Sequence, residues 1–197
     1  MARGKTFIIS GPSGVGKGTI VKALLQEREN IYLSVSATTR EPRQGEEDGV
    51  HYHFIDAARF RELIEEDALL EYAEYVGNFY GTPKRFVDRA MEAGQDVILE
   101  IEVQGAAQVS AKRPDAVTIF VVPPSWEVLE QRLRGRGTDS EEKLQKRLVR
   151  AKVELQAAAR YQYMVINDTV EQAVREVCAI MLAEHCKPEE RMEALKD

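Results

Sequence analysis

The stretch that most limits what this chain can fold into is Ser10–Ile20, SGPSGVGKGTI. It matches the phosphate-loop pattern G-x-x-x-x-G-K-[ST] at Gly11, Gly16 and Lys17 and departs from it at Gly18. The apolar run TFIIS (6–10) precedes it as a short buried strand. A helical pattern follows from about Gly16 to Arg28, with Ile20, Ala23 and Leu24 facing inward. Strand, glycine turn and helix in that order converge backbone N–H groups on an anion, and the helix N-terminus adds partial positive charge. Gly11, Pro12, Ser13, Gly14, Val15, Gly16, Lys17, Gly18 and Thr19 are therefore the candidate phosphate-binding loop, with Lys17 the full cation. Gly18 removes the hydroxyl that usually ligates magnesium. Thr19 sits about 100° further around the helix, where it can reach a phosphate but not the vacated metal position. A metal held through water needs acids nearby. Glu100 and Glu102 end the strand-like run DVILEIE (96–102), where open α/β sheets place their ligands.

Strand-like and helical runs alternate along the rest of the chain. AVTIFVV (116–122) and YMVIN (163–167) are further buried strands, a short helix ends before Pro114, and a long helix starts near Thr169. That order predicts an α/β fold: a P-loop three-layer core with a mainly parallel sheet. A length of 197 residues suits one domain. Two stretches interrupt the alternation. Residues 36–85 carry HYHFI, a helix from about Asp56 to Glu66, and LLEYAEYV with a turn at Gly77-Asn78, which predicts a small antiparallel insert. Its end at Thr82-Pro83 predicts a helix start with threonine as cap and proline in the first turn. Residues 125–160 hold a helix after PPS, the hinge-like RGRGTDS, and a charged helix from about Ser140 to Arg160. The core is left with about 4–35, 86–124 and 161–190, and the two excursions predict two flaps.

Charge narrows the partners. A formal net charge of −6 argues against a nucleic-acid duplex, yet local arginine clusters can still bind an anionic small molecule. The N-terminus is too short in its apolar part to be a signal peptide, and no run approaches the roughly 20 apolar residues that span a bilayer. Cys178 and Cys186 lie about 12 Å apart if both sit on one helix, too far for a bridge. A cytoplasmic protein with reduced thiols and no membrane partner is expected. His51, His53 and His185 lack a matching ligand set for structural zinc.

Three further constellations carry chemistry. In SVSATTREPRQGEEDGVHY (34–52), Arg40 and Arg43 can hold one phosphate from two sides, with hydroxyls at Ser36, Thr38 and Thr39 and the ring of Tyr52 beside them. In LLEYAEYVGNFYGTP (69–83), Glu71 is an acid in a half-apolar strand, followed by Tyr80, Gly81 and Thr82. A carboxylate plus a hydroxyl complements guanine's edge of two adjacent donors and one acceptor, and mismatches adenine. In RLRGRGTDSEEKLQKRLVRAK (132–152), much of the charge is a solvated helix face; Arg136, between glycines, and Arg147 are the best placed to close onto a phosphate.

Together the stretches SGPSGVGKGT, SVSATTREPRQGEEDGVHY, EYAEYVGNFYGT, LEIEVQGA, PPSWEVLEQRLRGRGTDSEEKLQKRL and VIND resemble the guanylate kinase family in order and spacing, over about residues 4–185. The resemblance implies a core, a small mixed GMP-binding insert (36–85) and a helical lid (125–160), with transfer of phosphate from ATP to GMP in purine nucleotide metabolism. It implies that Gly11 to Thr19 hold ATP with Asn167 near its adenine, and that magnesium accompanies the ATP. It assigns guanine to Ser36, Glu71 and Thr82, and the GMP phosphate to Arg40, Arg43, Tyr52 and Tyr80. Glu100 would contact GMP or the hydrated metal, and Arg136 and Arg147 the transferring group. Some members carry aspartate at positions 100 and 102, and others serine at position 18. Two rivals stand beside this reading: a scaffold domain of the same class that has lost catalysis, and a monophosphate kinase for AMP or a pyrimidine nucleotide.

Overall fold

The computed structural model describes residues 3–135 and 140–193. The phosphate-loop unit forms as expected: strand β1 (Thr6–Ser10), a glycine turn, and helix α1 (Lys17–Glu27). Then come β2 (Ile31–Leu33), β3 (Ala37–Thr38), β4 (His53–Phe54), α2 (Ala57–Glu65), β5 (Leu69–Tyr75) and β6 (Asn78–Pro83). The chain continues through α3 (Lys84–Glu92), β7 (Asp96–Glu100), α4 (Val103–Lys112), β8 (Val117–Val122), α5 (Trp126–Arg134) and α6 (Glu141–Leu155). It ends with β9 (Tyr163–Ile166), α7 (Val170–His185) and α8 (Pro188–Glu193).

The core sheet runs β2-β7-β1-β8-β9, and every pairing in it is parallel. Both of its faces are covered, so its strands read as continuous apolar runs. Phe7 and Ile9 pack toward α1, α5, α6 and α7, among Ile20, Leu24, Leu129, Leu148 and Val177. Ile8, Val97 and Leu99 pack the other way, onto Val87 and Met91 of α3 and Ala106 and Val109 of α4. Each of the larger buried side chains contributes about 1.5–3 kcal/mol. The resulting three layers align the C-terminal ends of the strands, where Ser10, Glu100 and Asn167 emerge. Among the described residues no helix is long and apolar enough to cross a membrane.

Several local expectations change. The 36–85 stretch is the mixed insert that the fold class expects, although its alternating pattern alone suggested an antiparallel one: its sheet runs β4-β3-β6-β5, and β3 and β4 are parallel. Thr82 does not cap α3. Pro83 occupies the cap position, and the Thr82 hydroxyl instead donates to Glu71. The hairpin turn is Val76-Gly77, one residue earlier than expected, with both residues at positive φ. The strand through Glu102 stops at Glu100, because Glu102 takes the N-cap position of α4. The charged helix ends at Leu155 and tightens into a 3-10 turn over Gln156–Arg160. On α1 the buried set is Ile20, Val21 and Leu24, with Ala23 only partly covered. Cys178 lies within α7 and Cys186 at its C-cap, both as free thiols.

Candidate active site

The phosphate loop turns through glycines at φ 145°, 92° and 92° (Gly11, Gly14, Gly16), conformations that favour glycine. The Lys17 ammonium donates to the carbonyls of Gly11 and Pro12 at 2.6 and 3.2 Å, so it is folded over the loop. Ser13 and Thr19 are exposed. The Val15 side chain is fully buried, leaving only its backbone for a ligand. Its carbonyl accepts from the Asn167 amide at 2.6 Å and from Arg132 at 3.4 Å, and Arg132 also donates to the Asn167 carbonyl at 2.9 Å. Asn167 is therefore a buttress of the loop; its buried Oδ1 has no hydrogen-bond partner among the described residues. Arg132, which sequence reasoning left within a solvated face, locks α5 to the same loop.

Glu100 stands across from Gly18. A Cβ on Gly18 would lie 3.5 Å from Glu100 Oε1 and 3.6 Å from Oε2. The position vacated by the missing hydroxyl is thus faced by a carboxylate. That carboxyl is open to solvent on one side, yet the protein crowded around it raises its pKa, and the Lys17 ammonium offsets part of the rise. Glu102 points elsewhere: its Oε2 accepts from Arg150 of α6 at 2.6 Å. One turn earlier on α6, Arg147 donates to the Ser13 hydroxyl at 2.7 Å, so the 125–160 stretch touches both the loop and the end of β7. Arg136 lies outside the described residues.

In the insert, Arg40 and the Arg43 backbone are held by the chain's own acid. Glu46 Oε1 accepts from the Arg40 guanidinium at 2.9 Å, and Oε2 from the Arg43 backbone at 2.8 Å. Those hydrogen bonds lower the Glu46 carboxyl and raise Arg40. The guanidinium lies 5.5 Å from the centre of the Tyr52 ring, and Tyr52 meets Tyr80 edge-on at 6.0 Å. Arg40, Tyr52 and Tyr80 are thus brought together, and the Arg43 backbone is tied to the same Glu46. Sequence reasoning missed Glu46, although its spacing of three from Arg43 was visible. The Thr38 and Thr39 hydroxyls do not join this pocket: both bond to the Phe79 backbone at 2.9 Å and pin β3 to β6. Ser36 is half-buried just before β3, its carbonyl accepting from His53.

Glu71 is buried, at 8% exposure, and its Oε1 accepts from the Thr82 hydroxyl at 2.7 Å. Burial raises its carboxyl above the ordinary value, and the Thr82 hydrogen bonds offset part of that. The rest of the carboxylate lies against Gly105 in the first turn of α4, the helix that follows directly on β7 and Glu100. Contacts therefore run from the phosphate loop through Glu100 and the start of α4 to the buried acid.

The comparisons with known proteins agree with this geometry. The guanylate kinase family model matches residues 3–184. A guanylate kinase of Clostridium perfringens is 50% identical over 193 residues, which cover 98% of this chain and 89% of that protein. One from Thermus thermophilus is 52% identical over 194 residues, 98% of this chain and 88% of that protein. The crystal structure of guanylate kinase from Anaplasma phagocytophilum superposes with a TM-score of 0.73 at 33% identity, covering 95% of this chain and 89% of that one. A phosphate loop, a paired-arginine pocket and a buried acid, carried on this sheet order and matched along nearly the whole chain, place it in the guanylate kinase family.

Proposed function

We propose that this chain transfers the terminal phosphoryl group of ATP to GMP, giving ADP and GDP. The observation that carries the specificity is the buried Glu71–Thr82 pair. A carboxylate held by one hydroxyl, in a site closed to water, suits the adjacent N1–H and 2-amino donors of guanine and leaves adenine unmatched. Ser36 completes the base site. Residues 36–85 act as the GMP-binding insert and 125–160 as the lid around one core. Arg40 and Arg43, with Tyr52 and Tyr80, take the GMP phosphate once it displaces Glu46. Gly11 to Thr19 take the ATP phosphates, Asn167 backs that loop beside the adenine, and Glu100 bridges the two halves.

The acceptor is a phosphate oxygen and already an anion, so no residue need act as general base. Lys17, Arg40, Arg136 and Arg147 align the two nucleotides and offset the charge of the transferring group. Closure of insert and lid excludes water, which suppresses hydrolysis of ATP. The donor set fits magnesium held through water: Gly18 supplies no oxygen, and the Glu100 carboxylate faces that position. Bound there with ATP, the ion would neutralise phosphate charge. Glu100 would be its outer-shell partner, with Glu102 in reserve on Arg150.

Steady-state kinetics test the assignment. Lys17→Met is expected to lower kcat about 1,000-fold, the scale of losing one electrostatic contact to the reacting group. Glu71→Gln is expected to raise the KM for GMP roughly 100-fold, because a buried recognition pair is left mismatched, while the KM for ATP holds. Normal turnover in the first variant, or an unchanged KM for GMP in the second, contradicts the reading.

A further inference from the structure

We propose that α4 is the positioning element for the Glu71 carboxylate, with Gly105 setting how far that carboxylate extends and Gln108 holding the strand that carries it. The proposal rests on Glu71 being the reader of guanine. β5 is the edge strand of its sheet, so one side of its backbone has no neighbouring strand. α4 supplies the missing partners. Gln108 accepts from the Tyr72 N–H at 3.1 Å and donates to the Tyr72 carbonyl at 3.0 Å, as a neighbouring strand would. Lys112 donates to the Leu69 carbonyl at 2.7 Å. Gly105, Gln108 and Lys112 are spaced by three and four residues and share one helix face. That face grips β5 at the residues on either side of Glu71.

Between those grips the register of β5 against β6 shifts, from Leu69↔Pro83 to Tyr72↔Gly81. Such an irregularity re-aims the side chains it contains, and here Glu71 is one of them. Its carboxylate lies directly on Gly105. A Cβ at that position would stand 2.9 Å from Oε2, 3.3 Å from Cδ and 3.4 Å from Cγ. Contacts that close force a shift. The other wall of the niche is the Thr82 hydroxyl, so the displaced group is the carboxylate itself. Alanine at 105 leaves the backbone of α4 unstrained, since no positive φ is found there. The fold tolerates the change, and the carboxylate moves by a few tenths of an ångström in the one place where its position sets base choice. The same glycine therefore acts on specificity without touching the nucleotide.

The test is steady-state kinetics on the full chain, comparing the parent with Gly105→Ala, Gln108→Ala and Glu71→Gln, with GMP and IMP as acceptors. IMP keeps the N1–H donor and lacks the 2-amino group. Gly105→Ala is expected to raise the KM for GMP about tenfold, as sub-ångström misplacement of a recognition group does, with kcat and the KM for ATP near the parent's. Its preference for GMP over IMP falls, because GMP meets the displaced carboxylate with two donors and IMP with one. Gln108→Ala shifts the same quantities in the same direction by less. The proposal is overturned if both variants keep the parent's KM for GMP while Glu71→Gln raises it. It is equally overturned if the KM values for ATP and GMP rise together, which marks general damage. An unchanged KM for GMP in Glu71→Gln removes the guanine reading itself, a separate failure. Should Gly105→Ala not fold, the kinetics of Gln108→Ala decide by the same criteria.

Discussion

Burial raises the Glu71 carboxyl above its ordinary value, and Thr82 offsets only part of that. Folding therefore favours the protonated acid, while guanine's two donors require the carboxylate. Two consequences follow from the sign of this shift. A carboxyl raised in the folded state disfavours the fold once pH rises above its unfolded value, and the penalty is complete above its raised, folded value. Replacing Glu71 by glutamine, which keeps an acceptor for Thr82, should then stabilise the nucleotide-free protein at neutral pH by about 1 kcal/mol, on the scale of relieving a strained active-site group. Thermal unfolding without ligand reads this out; a lower melting temperature for Glu71→Gln contradicts it. GMP affinity should also weaken as pH falls through the raised carboxyl, at a pH above the 4.5 of an ordinary glutamate, and this acid limb should vanish in Glu71→Gln. At Gly18 the absent hydroxyl leaves an opening that the Glu100 carboxylate faces.

Among the elements, the β5–β6 hairpin shows where sequence rules and tertiary structure part. Its turn residues Val76 and Gly77 have φ of 50° and 73°. A two-residue turn with both centres at positive φ favours Asn-Gly, and a β-branched residue there is strained. The Gly77-Asn78 pair in the sequence drew the expected turn one residue too late, because nothing local marks valine as a left-handed residue. Val76 is 80% exposed, so its side chain contributes little packing to offset the strain. Val76→Asn should stabilise the protein by about 1 kcal/mol through the turn alone, with kinetics unchanged. Urea unfolding checks this, and a lower midpoint would mean that the turn is not strained. The Thr82-Pro83 pair misled for a related reason. It has the composition of a helix start, but the hydroxyl is claimed by Glu71, eleven residues back in sequence and adjacent only after β5 and β6 pair.

For the whole molecule, legibility divides between contacts local in sequence and contacts made by folding. The phosphate loop, the parallel core and the helix starts at Asp56, Ser125, Ser140 and Thr169 were readable, because each depends on neighbours within a few residues. Arg40, Arg43 and Tyr52 were readable as a group because one short stretch carries them all, and Tyr80 joined them only through the family resemblance. Arg132 on Asn167, Arg150 on Glu102 and Gly105 under Glu71 were not, since their partners come together only through the sheet order β2-β7-β1-β8-β9 and the docking of α4 on β5; Glu46 on Arg40 is a local contact that was overlooked. Where a nucleotide phosphate is proposed to bind, the chain places its own acid or hydroxyl on two of the arginines: Glu46 on Arg40, and Ser13 on Arg147. A doubly charged phosphate is the stronger acceptor for either guanidinium. In the proposed reading, two anion pockets are joined through Glu100 and α4 to one buried acid that selects the base. The most direct test of that account is coupled measurement of ADP production from ATP with GMP, dGMP, AMP and UMP as acceptors, using the intact chain and Lys17→Met as control. The account predicts rapid turnover with GMP, background rates with AMP and UMP, and loss of the GMP signal in Lys17→Met; turnover with AMP or UMP equal to that with GMP, or no turnover with any acceptor, would contradict it.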